Sequence, residues 1–213
     1  MRYLLLPLVA FLAACSRGGR TSPIEAPRPV GLPERVESAP TPTTPRPTYT
    51  APLDPWVSDT DLDALWSRQL MVPVDGLPRR KLKDDFTAKR DGGRIHGAID
   101  IQAARRTPVL AADDCVIGRM FSGPIGGIVI YASSPDGQFV YYYAHLQQYR
   151  DGLAVGDRVA KGSVIGYVGT TGNAPPDIPH LHFQVMKRSL GRVWWDGPPI
   201  NPIFFFAVDG SRR

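Results

Sequence analysis

From about residue 74 onward the chain repeats one pattern, in which short segments rich in β-branched and aromatic residues alternate with glycine-rich turns. The Asp136-Gly137 pair between two of these segments is a strong hairpin signal. No run with helical periodicity interrupts the pattern. The sequence therefore predicts a mostly β protein, with a single compact antiparallel sheet or sandwich over residues 74–213. The segments are TPVLAA, CVIGRMF, GGIVIYAS, QFVYYYAHL, DRVAKGSVIGYVG and HLHFQVM.

One short helix is predicted before this domain, within residues 56–73. Ser58 is a suitable N-cap, Asp59 and Asp61 favour the first turn, and Pro73 is expected to end the helix. We expect the helix to dock on the β domain through its apolar residues. These residues, at helical spacing, are Leu62, Leu65, Trp66 and Leu70.

The first fifteen residues, MRYLLLPLVAFLAAC, are typical of a secretory signal. Arg2 precedes an apolar run that is too short to span a bilayer as a mature helix. The LAAC sequence at residues 12–15 resembles the bacterial lipobox, in which the cysteine becomes the lipidated first residue after residues 1–14 are removed. An uncleaved anchor helix is the alternative, but polar residues directly after Cys15 favour the lipobox. Cys115 is then left without a partner, so we expect no disulfide and a buried thiol.

Residues 15–55 are predicted to form a lipidated, disordered Pro/Thr-rich linker. This segment is poor in large apolar residues and contains the stretch APTPTTPRPTYTAPLDP. At ~3.1 Å per residue, about forty residues in an extended polyproline conformation reach on the order of 100 Å. A lipid anchor on such a linker would let the domain work at a distance from the membrane.

The charge balance excludes one class of partner. The net charge is +5, but the basic residues are scattered and form no dense stripe with interleaved aromatic residues. We therefore expect no binding to nucleic acid. A weakly basic protein suits an anionic surface such as a cell wall or membrane, and improved solubility is the simpler alternative.

The chain has only four histidines, and all of them lie in short, strand-like segments. In PHLHFQV the side chains of a strand alternate, so His180 and His182 share one face while the apolar residues between them face a core. A pair of histidines on a solvated strand face is the simpler alternative to a metal site. In QFVYYYAHL the same alternation predicts that Tyr143 and His145 share one face, where Tyr143 either lines a groove or, as the favoured alternative, serves in packing.

His96 lies four residues before Asp100, so on a strand the two side chains would point the same way. A histidine and a carboxylate, joined by one histidine of the distant pair, make three protein ligands. A tetrahedral zinc site that keeps its fourth position open needs that number.

The ordered set H-x-x-x-D, Y-x-H-L and H-x-H resembles the lysostaphin/LytM-type zinc metallopeptidases of bacterial cell-wall remodelling. The resemblance extends over roughly Leu82 to Lys187 and includes GLAVGDRVAKGSVIGYVGTTGN in the family's order. It implies a lysostaphin-like fold with a duplicated hybrid motif. The sequence departs from the family's pattern in two places, and neither departure removes a ligand. Gln184 stands where many relatives carry Glu, and the approach GNAPPDIPHLHF is longer and richer in proline. The change in this loop leaves the peptide specificity open.

Carried over by position, the resemblance implies that one Zn²⁺ is bound by His96, Asp100 and His182. It makes His145 and His180 the catalytic residues. His180 is the candidate general base, and His145 is the candidate for stabilising the oxyanion or protonating the leaving amine, although the two roles are interchangeable at this point.

The implied function is that of a zinc metalloendopeptidase that hydrolyses peptide cross-links of peptidoglycan by means of a zinc-activated water. A D-Ala–diaminopimelate cross-link is favoured over a glycyl-glycine bridge. A non-catalytic activator of cell-wall amidases is the alternative, and it should have lost some of the five site residues that this chain keeps. A zinc-storage lipoprotein would explain neither of the two histidines outside the ligand set.

Location and partners follow from the same reasoning. Ser16 rather than Asp after the lipobox cysteine favours the periplasmic face of the outer membrane, with the inner membrane as the alternative. The expected partners are peptidoglycan and a membrane, the latter through the lipid. Cell-wall amidases and divisome proteins are further candidates.

The lipobox assignment predicts that Cys15→Ser abolishes acylation and the release of the mature form, because the serine hydroxyl cannot replace the thiol that accepts the lipid. Incorporation of labelled palmitate into wild type and variant measures this directly. Equal incorporation into both would contradict the assignment.

Overall fold

The computed structural model describes residues 45–191 and 193–208. The predicted signal peptide, Cys15 and the linker up to residue 44 lie outside the described residues. One α-helix and nine strands are described, together with 3₁₀ turns at Arg79–Lys81, Asp91–Gly93 and Pro202–Phe204. They are α1 (Asp59–Ser67), β1 (Ile99–Gln102), β2 (Pro108–Leu110), β3 (Cys115–Gly123), β4 (Gly127–Ser133), β5 (Phe139–Tyr149), β6 (Arg158–Val159), β7 (Val164–Val168), β8 (His180–Lys187) and β9 (Pro199–Ile200).

The strands form one antiparallel sheet. The main path runs β1-β8-β5-β4-β3-β6, while β7 pairs with both β5 and β2, and β9 adds to β8. The Asp136-Gly137 hairpin joins β4 to β5, as the sequence predicts. The prediction of a mostly β, antiparallel domain with one short helix is confirmed.

The core lies against one face of the central strands. Phe139, Tyr141 and Tyr143 of β5 are fully buried, and so are the apolar residues that alternate with the histidines of β8. Tyr143 and Phe183 are direct cross-strand partners, with ring centroids 5.1 Å apart. Burial of each such side chain contributes about 1.5–3 kcal/mol. The opposite face of the same strands is left free for the histidines.

Helix α1 begins as the sequence predicts but ends earlier. Ser58 and Asp61 form a capping box at its N-terminus. The helix stops at Ser67 because Gln69 adopts a left-handed conformation with φ of +47°. The chain then extends, and the Leu70 amide donates to the carbonyl of Phe205 at 2.9 Å. The early stop thus lets Leu70 join the core as part of an extended segment rather than of the helix.

The helix packs into the core of the β domain, where Leu62, Leu65 and Trp66 are buried. Among the described residues, no helix is long and apolar enough to cross a membrane.

Residues 45–55, the described end of the predicted linker, contain no helix or strand but lie against the domain. Arg46 forms ion pairs with Asp59 and Asp63 of α1. The hydroxyl of Tyr49 accepts a hydrogen bond of 2.9 Å from the backbone amide of Asn201. This part of the linker is therefore held by specific contacts.

A buried carboxylate ties α1 to the sheet. Asp113 is 5% exposed, and its Oδ2 accepts hydrogen bonds from the Tyr141 hydroxyl at 2.8 Å and from Arg68 Nη1 at 2.9 Å. Lys161 Nζ lies 3.6 Å from its Oδ1 and donates to the carbonyl of Arg68. Two cations and a hydroxyl from three parts of the chain therefore meet at one acidic side chain, and Arg68 also pairs with Asp136.

We expect Asp113→Ala to lower the free energy of unfolding by about 1–3 kcal/mol, because it leaves the fully buried Tyr141 hydroxyl without its acceptor. Urea denaturation followed by circular dichroism measures the change. Asp151→Ala removes an exposed carboxylate from a surface turn and should change stability by no more than about 0.5 kcal/mol. A similar small effect for both variants would contradict the role given to Asp113.

Candidate metal centre

Three side chains predicted to bind a metal meet at the junction of β1 and β8. Asp100 lies directly opposite His182 in the antiparallel pair, so both side chains project from the same face. His96 lies just before β1, where its backbone amide donates to the carbonyl of Ala88 at 2.9 Å. The oxygen Asp100 Oδ1 is 3.1 Å from His96 Nε2 and 3.0 Å from His182 Nδ1, and these two nitrogens are 3.1 Å apart.

The three donor atoms fit a zinc ion. Bonds of 2.0–2.1 Å in a tetrahedral site place neighbouring ligand atoms about 3.3 Å apart, close to the spacing found here. Two imidazoles and one carboxylate form a typical catalytic donor set, and three protein ligands leave one position open. The structure therefore brings together the predicted ligands His96, Asp100 and His182 as one group.

Two residues that the sequence analysis missed hold these donors in place. Arg90 Nη2 contacts Asp100 Oδ2 at 2.5 Å, which leaves Oδ1 to the ligand group. Asp85 accepts from the Asp100 amide at 3.2 Å through its carboxylate, and its backbone carbonyl lies 3.1 Å from His96 Nδ1. Because a carbonyl only accepts, His96 Nδ1 carries the hydrogen and Nε2 offers its lone pair to a metal.

Electrostatics favour an ionised Asp100, the form that binds a metal. Burial raises the pKa of Asp100, but hydrogen bonds from His182 and His96 outweigh burial and hold it well below its ordinary value. Burial disfavours protonation of His96, yet hydrogen bonds to Asp100 and Asp85 raise its pKa to about 9, so without a metal Nε2 holds a proton that a metal ion would displace. For His182 burial prevails over the hydrogen bond to Asp100, and its pKa is lowered.

The two remaining histidines lie beside this group. His180 Nε2 is 3.9 Å from Asp100 Oδ1, and the rings of His145 and His180 are 4.9 Å apart. His180 Nδ1 donates to the carbonyl of Ile178 at 2.8 Å, and His145 Nδ1 donates to the carbonyl of Thr171 at 2.9 Å. In a neutral ring this leaves Nε2 as a free acceptor. Burial lowers the pKa of His145 to about 4, so this ring is neutral near pH 7.

The predicted orientation of His145 is wrong. Tyr143 pairs with Ile130 while Leu146 pairs with Ile128, so β5 carries one extra residue at this point, a β-bulge. His145 sits in the bulge with φ of +60°. The bulge breaks the alternation and turns His145 to the groove face, while Tyr143 stays in the core, where its hydroxyl accepts from the Ala112 amide at 3.0 Å.

Thr171 secures this bulge, and the sequence analysis missed it as well. Its hydroxyl donates to the carbonyl of Leu146 at 2.7 Å and accepts from the Ile128 amide at 2.9 Å. Around it, the β3–β4 turn and the loop after β7 pack backbone against backbone. Gly127 and Gly172 both have positive φ, and a Cβ on either would lie within 2.3 Å of the other loop's backbone. Only glycine allows the loops to approach this closely.

The five predicted site residues line one open groove. One wall is the loop of residues 86–97, which contributes Lys89, Arg90, Arg94 and Ile95. The other wall comes from the β3–β4 turn and the segment before β8, and it is uncharged. Its members include Ile125, Asn173, Pro175 and Ile178. The two walls and the donor group therefore belong to one groove.

Comparison with known proteins supports the resemblance. Residues 94–202 match the family described as Peptidase family M23. The L-Ala–D-Glu endopeptidase of Bacillus subtilis is 34% identical over 113 residues, which make up 51% of this chain and 34% of that protein. The peptidoglycan DD-endopeptidase ShyC of Vibrio cholerae is 30% identical over 151 residues, 67% of this chain and 33% of its own length. The chain thus spans about a third of the length of these curated relatives.

Solved structures agree with the fold. Lysostaphin of Staphylococcus simulans superimposes with a TM-score of 0.53 at 27% identity, covering 65% of this chain and 53% of that chain. The catalytic domain of lysostaphin alone gives a TM-score of 0.50 at 29% identity and covers 59% of this chain and 92% of the domain. With a family match over half of its length, a lysostaphin-like fold and the donor group in place, this chain belongs to peptidase family M23, among the lysostaphin/LytM-type peptidases.

Proposed function

We propose that this protein is a zinc-dependent endopeptidase that hydrolyses peptide cross-links of bacterial peptidoglycan. One observation carries the proposal: all four histidines and Asp100 meet in one groove and fall into two sets. Three donor atoms lie 3.0–3.1 Å apart, and two further imidazoles, each with a free Nε2, stand beside them. The substrate class is supported by the relatives, whose names include peptidoglycan DD-endopeptidase and glycyl-glycine endopeptidase.

His96 Nε2, Asp100 Oδ1 and His182 Nδ1 would hold one Zn²⁺. When bound there, zinc supplies a Lewis acid that polarises a carbonyl and makes water acidic enough to act as a nucleophile near neutral pH. Arg90 and Asp85 keep the carboxylate and the His96 ring in the orientation that this requires.

His180 is our candidate general base. Its Nε2 is free and lies 3.9 Å from Asp100 Oδ1, next to the donor group. It takes the proton of the attacking water and returns it to the leaving amine when the C–N bond breaks, so the products are a carboxylate and an amine. His145 has no N–H directed into the groove while it is neutral. It therefore acts first as a hydrogen-bond acceptor for the attacking water, and it can stabilise an oxyanion only after gaining a proton.

We also propose a cellular location for the domain, and this part of the proposal is supported by the sequence alone. Lipidation at Cys15 and the linker that follows would hold the domain at the periplasmic face of the outer membrane, within reach of the wall. A D,D-endopeptidase acting on D-Ala–diaminopimelate cross-links suits that location. Neither Cys15 nor most of the linker lies within the described residues.

The proposal predicts that zinc-loaded protein releases monomeric muropeptides from purified, cross-linked sacculi. His180→Ala should reduce turnover roughly 10²–10⁴-fold, the usual contribution of a positioned general base or acid, while about one zinc per chain is retained. His182→Ala should bind zinc far more weakly and retain little of it, because only two protein donors remain. Chromatography of the digest and elemental analysis measure the two effects separately, and a chelator followed by zinc addition is the control.

Two outcomes would overturn the proposal. If zinc-loaded wild-type protein releases nothing from several wall types and yet stimulates an added amidase, the activator function replaces the enzyme. Retention of a full zinc equivalent by the double variant His96→Ala/His182→Ala would refute the ligand set.

Arg90 generates a separate prediction. Arg90→Gln removes the cation from Asp100 Oδ2 and should lower zinc affinity about 10–100-fold, because the carboxylate is no longer held in place. Competition with a chromophoric chelator measures this affinity without any assay of activity. Lys83→Gln, which removes an exposed positive charge outside the groove, is the matched control. Equal affinity in both variants would show that Arg90 does not support the metal centre.

A further inference from the structure

The loop of residues 86–97 forms an ordered wall of the groove. Its two arms are joined by hydrogen bonds from the Arg90 amide to the carbonyl of Arg94 at 2.8 Å and from the His96 amide to the carbonyl of Ala88 at 2.9 Å. Lys89 and Ile95 face each other across the arms as a β-bridge. Phe86 is buried and anchors the base of the loop. The loop thus presents its side chains to the groove from a hydrogen-bonded frame.

The side chains that the structure describes along this wall carry an excess of positive charge. Three basic residues of the loop line the groove, and Asp100 is the only acidic residue that does so among the side chains the structure describes. Arg90 is already paired with Asp100. Within the described part of the chain, Lys89 and Arg94 have no carboxylate within ion-pair distance, and both are exposed. Because of these two cations, we call the loop of residues 86–97 the basic wall of the groove.

None of the residues that line the facing wall is charged, and the exposed Asp177 of the same segment is not among them. Ile125 and Ile178 are exposed there, at 66% and 43% of their surface, and Pro175 and Asn173 complete it. A ligand between the two walls would therefore meet cations on one side and apolar groups on the other. Anionic groups on one side of an otherwise small, apolar peptide would match this arrangement.

We propose that Lys89 and Arg94 bind side-chain carboxylates of the substrate, and that the protein selects acidic cross-linked peptides over uncharged ones. The inference rests on the proposed function and narrows its substrate class. Each contact is an ion pair at the rim of a groove, where the free peptide and the cations are both partly solvated. Uncharged oligoglycine bridges carry no group for this wall, so they should be poor substrates.

The test uses two synthetic cross-linked peptides that are identical except that every free side-chain carboxylate is amidated in one. With zinc-loaded full-length protein, kcat/KM should be about 5–20-fold higher for the acidic peptide, as two partly exposed ion pairs allow, and the difference should lie mainly in KM. It should shrink at high salt, because exposed ion pairs are screened. The double variant Lys89→Gln/Arg94→Gln should lose the preference by slowing only the acidic peptide, while Lys83→Gln keeps it.

Equal kcat/KM for the two peptides, or a preference that survives in the double variant, would overturn the inference. If neither peptide is cleaved, the proposed function fails. The affinities of the two peptides, measured by calorimetry, then test the role of Lys89 and Arg94 independently of catalysis. Tighter binding of the acidic peptide that the double variant loses would support the basic wall. Equal binding of both peptides would refute it.

Discussion

The pairing of β8 between β1 and β5 positions the functional side chains of this protein. His182 lies opposite Asp100 on one side and opposite Ala144 on the other. The next residue, Phe183, lies between Ile99 and Tyr143, and all three of these are fully buried. A slip of one residue would drive the histidines into the core and expose the phenylalanine. The apolar packing on one face of the sheet therefore holds the metal donors in register on the other.

The groove combines regular and irregular backbone, and the two have different roles. Regular pairing aligns Asp100 and His182, which must stay at a fixed spacing to share an ion. His145 is brought in by a bulge with left-handed backbone, a conformation that costs energy for a residue with a Cβ. Thr171 and the close approach of two glycine-containing loops hold that conformation. His145 is thus placed beside the donor group by local strain that the surrounding loops sustain.

Much of the fold and of the candidate site could be predicted from the sequence, because strand alternation and residue spacing are local signals. The strands, the buried apolar residues of β8 and the grouping of His96 with Asp100 and His182 follow from such signals or from the family resemblance. The face of His145 could not be predicted, since an extra residue in a strand leaves no mark on the pattern. Asp85 and Arg90 act through a backbone carbonyl and a long side chain, and the spacing of residues encodes neither contact.

The central claim is the division of the four histidines into two that hold a metal and two that move protons. X-ray absorption spectroscopy at the zinc edge of the loaded, full-length protein tests it most directly. The account predicts a shell of nitrogen and oxygen only, with scattering from two imidazoles, one of which disappears when His182→Ala is filled by an excess of zinc. The spectrum of His180→Ala should keep both. Three or more imidazoles in the wild type, or the loss of one in His180→Ala but not in His182→Ala, would contradict the account.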